Sequence, residues 1–213
     1  MTNPTRTPAH VWNEMARGNE RFVAGEPAHP RQDVERRTET ANAQTPHAAL
    51  FGCSDSRLAA EIIFDKGLGD LFVVRNAGQV ISSSVVGSLE YAVSVLNVPL
   101  ILVLGHDECG AVAAAIESQT EDAPSLPPHI HSLISKIVPA VRRVAGSDTG
   151  TVEVDNINAY DVGRIHLRAT ILELMNASEL ISDAVAAGTL AVVGANYRLL
   201  EGRAVPDLVI GTV

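Results

Sequence analysis

The sequence predicts an α/β protein: a central, mostly parallel β-sheet of four parallel strands plus a C-terminal edge strand, flanked by helices, with an extended N-terminal helical arm. Three observations carry this expectation. Short β-branched runs alternate with segments whose apolar residues recur at helical spacing, the pattern of strands joined by crossover helices. The strongest apolar stretch, "VPLILVLG", has the length of a buried strand and is far too short to span a bilayer. Finally, 213 residues with 46% hydrophobic and 19% charged side chains suffice for one full-sized core, so residues 1–213 are read as a single domain.

In chain order, residues 9–23 form an amphipathic helix that ends before "AGEPAHPRQ", an extended arm rich in turn residues. Strands follow over 47–53 ("HAALFGC"), 70–77 ("DLFVVRNA") and 99–106 ("PLILVLGH"). Between them lie a helix over 58–66, stopped near Gly67, and a second over 80–96, stopped before Pro99. A third helix covers 111–118 and runs into "QTEDAPSLPP", an acidic, proline-rich loop. Helices resume over 130–144, 158–176 and 178–187, and strands over 190–199 and 206–213 complete the sheet. The chain has no internal repeat.

Charge narrows the function. With 16 basic against 25 acidic residues the net charge is −9, a poor match for phosphate backbones or anionic lipid, so nucleic acid and membranes are excluded as partners. The N-terminal stretch is amphipathic and never continuously apolar, unlike a secretion signal, which predicts a cytoplasmic protein. Two cysteines in such a compartment suggest ligands or redox groups and not a structural disulfide.

Both cysteines fall at predicted strand ends, where open α/β sheets place their ligand crevices. In "LFGCSDSR", an extended continuation of the strand would project Cys53, Asp55 and Arg57 to one side. In "LGHDECGA", His106 and Cys109 are spaced so that one turn of chain aims an imidazole and a thiolate at a common point. Cys53, His106 and Cys109 together make a zinc site with one position left over, for water or for Asp55. Arg57 is placed to hold the Asp55 carboxylate in a bidentate pair instead. Taken singly, Cys53 reads as packing and an H-x-x-C pair as chance. A redox dithiol leaves the histidine and aspartate unexplained.

"CSDSR" followed by "FVVRNAG", "SLEYAV" and "LGHDECGA" resembles the β-class carbonic anhydrases in order and spacing over residues 44–113, and "GNERFVAG" resembles that family's amino-terminal helix. The resemblance implies one Zn2+ per chain on Cys53, His106 and Cys109, a dyad of Asp55 and Arg57, and reversible hydration of carbon dioxide to bicarbonate and a proton. It implies a homodimer, often assembled into a homotetramer, with each cleft at the subunit interface and residues 1–45 in dimer contacts. It further implies a substrate pocket from Gln44, Phe72, Ala77, Tyr91 and Gly110. Gln79 stands where many members carry asparagine. Leu50 replaces the tryptophan that accompanies a non-catalytic bicarbonate site in certain members, so Arg75 lacks that site's aromatic wall.

The chemistry expected of such a site follows from its charges. Two thiolates cancel the formal charge of zinc and leave its water less acidic than a three-histidine set would, so Asp55 is needed to orient the hydroxide. Arg57 keeps Asp55 ionised and off the metal; when hydroxide is scarce, Asp55 leaves Arg57, ligates zinc and closes the site, so activity rises with pH. Hydrolysis of carbonyl sulfide or carbon disulfide, and a non-catalytic zinc-binding oligomer, are the alternatives. His129 and His131 read as an exposed loop pair, and His166 as a helical residue with no constellation attached.

Overall fold

The computed structural model describes residues 6–147, 153 and 157–213. Among them is a five-stranded sheet formed by β1 (Ala48–Cys53), β2 (Leu71–Asn76), β3 (Leu100–His106), β4 (Ala191–Arg198) and β5 (Arg203–Ile210). The order is β2-β1-β3-β4-β5; the first four strands are parallel and β5 pairs antiparallel with β4. Chain direction across the sheet therefore reverses between β1 and β3, which creates a switch point at their carboxyl ends.

The sheet's two faces explain why β1 and β3 are buried throughout. One face carries Leu50, Leu102, Leu104 and Val193 into a core shared with Val11 and Met15 of α1 (Pro8–Ala24), Val112 of α5 (Gly110–Glu117) and Val141 of α7 (Val138–Ala145). The other carries Phe51, Ile101, Val103 and Val192 against Leu89 of α4 (Ser83–Ser94), Leu167 and Ile171 of α8 (Ala159–Ala177) and Ile181 of α9 (Glu179–Ala186). Residues i and i+2 of each strand thus serve the same layer.

Several expected boundaries shift, each for a local reason. The helix expected over 58–66 is only α3 (Ala60–Ile63), because Asp65 turns left-handed at φ 46° and spends its carboxylate on the arm. The helix expected over 130–144 is two, α6 (Pro128–Ile134) and α7, since Pro139 sits in the first turn of the second and cannot continue the first. A short helix, α2 (Val34–Thr40), capped by Asp33, follows the arm and was not anticipated. The last strand begins three residues earlier than the run at 206–213, with Pro206 tolerated because β5 is an edge.

At the N-terminus, α1 is capped by the Thr7 hydroxyl and lies on the body of its own chain. Asn19 is buried there, donating to the carbonyls of Ile63 and Gly202 and accepting from the amide of Ala204. The arm is latched below it: Asp65 accepts from the amides of Ala28 and His29 and from Arg21, while Asp70 accepts from Arg31 and from the amide of Gly67.

Candidate metal centre

The strand ends at the switch point converge as expected for Cys53 and His106, and Cys109 joins them as the residue that precedes α5. One ligand atom from each of Cys53, His106 and Cys109 lies within 4.8 Å of the others, and all three residues are buried. The imidazole is already oriented: His106 Nδ1 lies 2.7 Å from the carbonyl oxygen of Asp107. A carbonyl only accepts, so Nδ1 carries the proton and Nε2 presents a lone pair. That Nε2 is buried and has no hydrogen-bond partner among the described residues.

The Cys53 thiol is pulled well below the ordinary thiol range, first by the Cys109 thiol beside it and also by the backbone amides of Gly78 and Asp55, against the opposing effect of burial. Gly78 N lies 3.4 Å from Cys53 Sγ. Cys109 is pushed up because Cys53 sits beside it and because it is buried. Two neighbouring buried thiols resist ionising together, and a soft or borderline divalent cation is the group that lets both do so. A free imidazole nitrogen with two thiolates is a zinc donor set, with one coordination position to spare.

Asp55 and Arg57 meet beside this cluster, but not by strand alternation. The chain leaves β1 after Cys53 and turns, Leu58 N donating to Asp55 O at 3.0 Å. Within that turn the Arg57 amide donates to Asp55 Oδ1 at 3.0 Å, and the guanidinium grips both carboxylate oxygens, Nε to Oδ1 at 2.8 Å and Nη2 to Oδ2 at 2.7 Å. Arg57 holds the Asp55 carboxyl far below the ordinary carboxylate range. Its Nη2 also donates to the carbonyl of Glu108 at 3.0 Å, so one guanidinium ties the loop after β1 to the loop between His106 and Cys109. Glu108 itself is left-handed, at φ 50°.

Other residues frame the loops. Arg75 donates to the carbonyls of Cys53 and Asp55, at 2.8 and 2.6 Å, so its guanidinium is engaged with the backbone of the metal loop. His166, which carries no visible signal as a site residue, is buried and its Nε2 lies 2.7 Å from the carbonyl of Gly78. The signal that would have found it is its place in the buried stripe Val162, His166, Thr170, Leu174 of α8. His129 and His131 lie exposed on α6, not on a loop.

The expected pocket residues divide. Ala77 is exposed next to Gly78, and Gly110 is exposed at the first position of α5 beside Cys109. Gln44, Phe72 and Tyr91 gather elsewhere. Gln44 and Tyr91 share a shallow surface groove with Thr40 and Leu96, and the Phe72 and Tyr91 rings are 6.1 Å apart. In the β1–β2 register Phe72 pairs with Ala49 while Asn76 pairs with Cys53, a separation along the strand of roughly 13 Å. Within one chain these three residues do not reach the cluster of Cys53, His106 and Cys109.

The carbonic anhydrase family model matches residues 48–204. A curated relative, carbonic anhydrase 2 of Mycobacterium tuberculosis, is 48% identical over 211 residues, 99% of this chain and 98% of its own length. The chain belongs to the β-class carbonic anhydrases. The carbonic anhydrase of Mycolicibacterium smegmatis is similar at 46% identity, over 94% of this chain and 93% of that protein. Among solved structures, a tetrameric β-carbonic anhydrase from Sordaria macrospora shares the fold with TM-score 0.69 and 25% identity, over 90% of this chain and 94% of that one. The Coccomyxa β-carbonic anhydrase in complex with acetazolamide does so with TM-score 0.66 and 25% identity, over 98% and 90%. This chain is accordingly an enzyme of the carbonic anhydrase type. No helix among its described residues is long and apolar enough to cross a membrane.

Proposed function

We propose that this carbonic anhydrase hydrates carbon dioxide reversibly to bicarbonate and a proton, using one Zn2+ per chain held by Cys53, His106 and Cys109. The observation that carries the reading is His106: with Nδ1–H committed to Asp107, its buried Nε2 is a lone pair beside two cysteine sulphurs, and only a cation satisfies all three. When bound there, zinc supplies an acidified water, the nucleophile that a neutral, weakly electrophilic gas requires near neutral pH.

The protein's own groups do the rest. Asp55, ionised by its pairing with Arg57, accepts a proton-side hydrogen bond from the nucleophile and orients its lone pair toward carbon. Arg57 holds the Asp55 carboxylate in its bidentate grip, and released from that grip the same carboxylate would be available to the metal and would close the site. Gly110, at the amino end of α5 where backbone amides lack intrahelical partners, offers an N–H to substrate oxygen, and Ala77 contributes a small apolar wall.

Gln44, Phe72 and Tyr91 are assigned to the pocket of a second copy. Tyr91 is 45% exposed and Phe72 only half-buried, as expected of groups that a neighbouring chain covers. The tetrameric assembly of the Sordaria relative supports an oligomer of this kind.

The test is stopped-flow carbon dioxide hydration from neutral to alkaline pH on metal-quantified protein, with Asp55→Ala beside it. Hydration that rises with pH and falls by about a hundredfold or more in the variant is expected. A zinc-loaded chain that hydrates nothing at alkaline pH would overturn the assignment and redirect attention to sulphur-containing analogues or a closed site.

A further inference from the structure

Behind the metal loop, α8 presents two polar side chains within an otherwise apolar buried face. His166 is 4% exposed and lies with Nε2 2.7 Å from the Gly78 carbonyl; Thr170, one turn on and 2% exposed, donates its hydroxyl to the Gln79 carbonyl at 3.4 Å. Since a carbonyl only accepts, the buried His166 must carry its proton on Nε2. Helix α8 thus grips two successive carbonyls of the segment that follows β2.

That segment needs gripping. Gly78 and Gln79 are both left-handed, at φ 78° and 41°, and the second is not a glycine. The turn is braced at its base by Asn76, whose side chain exchanges hydrogen bonds with the backbone of Val80 at 2.8 and 2.9 Å. A side chain at position 78 would crowd Ile137 Cδ1 at 2.9 Å and Ala111 Cβ at 3.0 Å, so the glycine is wedged between elements as well. What the turn delivers is the Gly78 N–H, 3.4 Å from Cys53 Sγ.

We propose that His166 is a positioning residue of the metal centre: by holding the Gly78 carbonyl from α8, it keeps the Gly78 amide on the Cys53 sulphur and so sets that thiolate's orientation and donor strength. The effect is one of orientation, because the amide and the carbonyl of Gly78 belong to different peptide groups. A hydrogen bond to a ligating thiolate draws electron density from sulphur, and a partner one step beyond the ligand shell tunes a metal without touching it. A leucine fills the same volume but cannot donate, which separates packing from positioning. The proposal rests on Cys53 being a metal ligand.

The test compares wild type with His166→Leu and with His166→Gln, whose terminal amide reaches about as far as the imidazole Nε2. Zinc affinity is read by chelator competition, and donor strength by the sulphur-to-cobalt charge-transfer band of the Co2+-substituted protein. His166→Leu is expected to weaken zinc binding by about ten- to a hundredfold and to move the band to lower energy, with His166→Gln restoring both. Should the leucine chain not fold, His166→Asn, still polar but too short to reach Gly78, is expected to show the same weakening and band shift. A folded leucine or asparagine variant with wild-type affinity and an unmoved band overturns the proposal alone. A wild-type protein that shows no thiolate charge-transfer band with cobalt overturns the metal assignment, and this proposal with it.

Discussion

On the proposed reading Asp55 has two uses for one carboxylate, and Arg57, which grips both of its oxygens, decides between them. Lysine at position 57 keeps the charge but loses the fork that spans both oxygens and the branch that reaches the Glu108 carbonyl. Arg57→Lys is therefore expected to lower hydration activity by at least about tenfold while leaving zinc content unchanged, as checked by stopped-flow assay beside metal analysis. The sign of the pH dependence also follows at this scale. Arg57 holds the Asp55 pKa far below its ordinary value, so the pair is intact above the unfolded carboxylate range and is lost only as pH falls through the lowered folded value. Asp55 is ionised on both sides of neutrality. On the proposed reading, a rise of activity from neutral to alkaline pH reports hydroxide competing with the Asp55 carboxylate for the metal position and not the titration of Asp55, so Asp55→Asn, which removes that competitor, is expected to lower the height of the profile and to move its midpoint to lower pH.

Among the elements, α1 and the arm carry a test of packing. Gly18 lies in the helix interior, where alanine ordinarily stabilises, yet a Cβ there would collide with the Phe64 carbonyl oxygen at the end of α3. Gly18→Ala is expected to lower stability by about 1–3 kcal/mol in urea titration, against the helix-propensity trend. The arm behaves differently. Burial pushes the Asp65 and Asp70 carboxyls up, but the amides and arginines that they accept from hold both below their ordinary range. Their stabilising contribution is complete above about pH 4 and drains away as pH falls through the lowered values, so amide exchange at Ala28 and His29 should accelerate in acid before the sheet opens. The strands and the longer helices were legible because they follow hydrophobic period and length. The shortened α3, the α6–α7 break and α2 were not, because each turns on a single residue: the left-handed Asp65, Pro139 and the side-chain cap of Asp33. The convergence of Cys53 and His106 was legible for the same reason as the strands, since both are strand ends. The Asp55–Arg57 pair closes within a turn that strand alternation does not describe, and the Glu108 bridge and the His166 contact depend on left-handed residues and on an approach across sequence that no local pattern records.

For the whole molecule, β2 is an uncapped sheet edge whose Leu71, Phe72, Val73 and Val74 are all partly exposed. An apolar edge of this kind is covered in a stable protein, and the second copy proposed above is the covering that would also bring Gln44, Phe72 and Tyr91 to a metal site. If sites are shared between chains, reassembling equal amounts of Gln44→Ala chains and Asp55→Ala chains yields activity above the mean of the two, because about a quarter of all the sites formed carry neither change. A mixture that only averages its parents would place each site within one chain.

The switch point has a thermodynamic consequence as well. Cys53 ends β1 and His106 ends β3, neighbours in the centre of the sheet but far apart along the chain. A cation bound there is a staple across the two central strands, and unfolding must surrender it. Occupancy and folding are then a single linked equilibrium, in which each tenfold gain in metal affinity over the free concentration adds about 1.4 kcal/mol of resistance to unfolding. On the proposed metal assignment the reaction centre doubles as a fastener, and protein starved of metal is expected to lose sturdiness together with turnover.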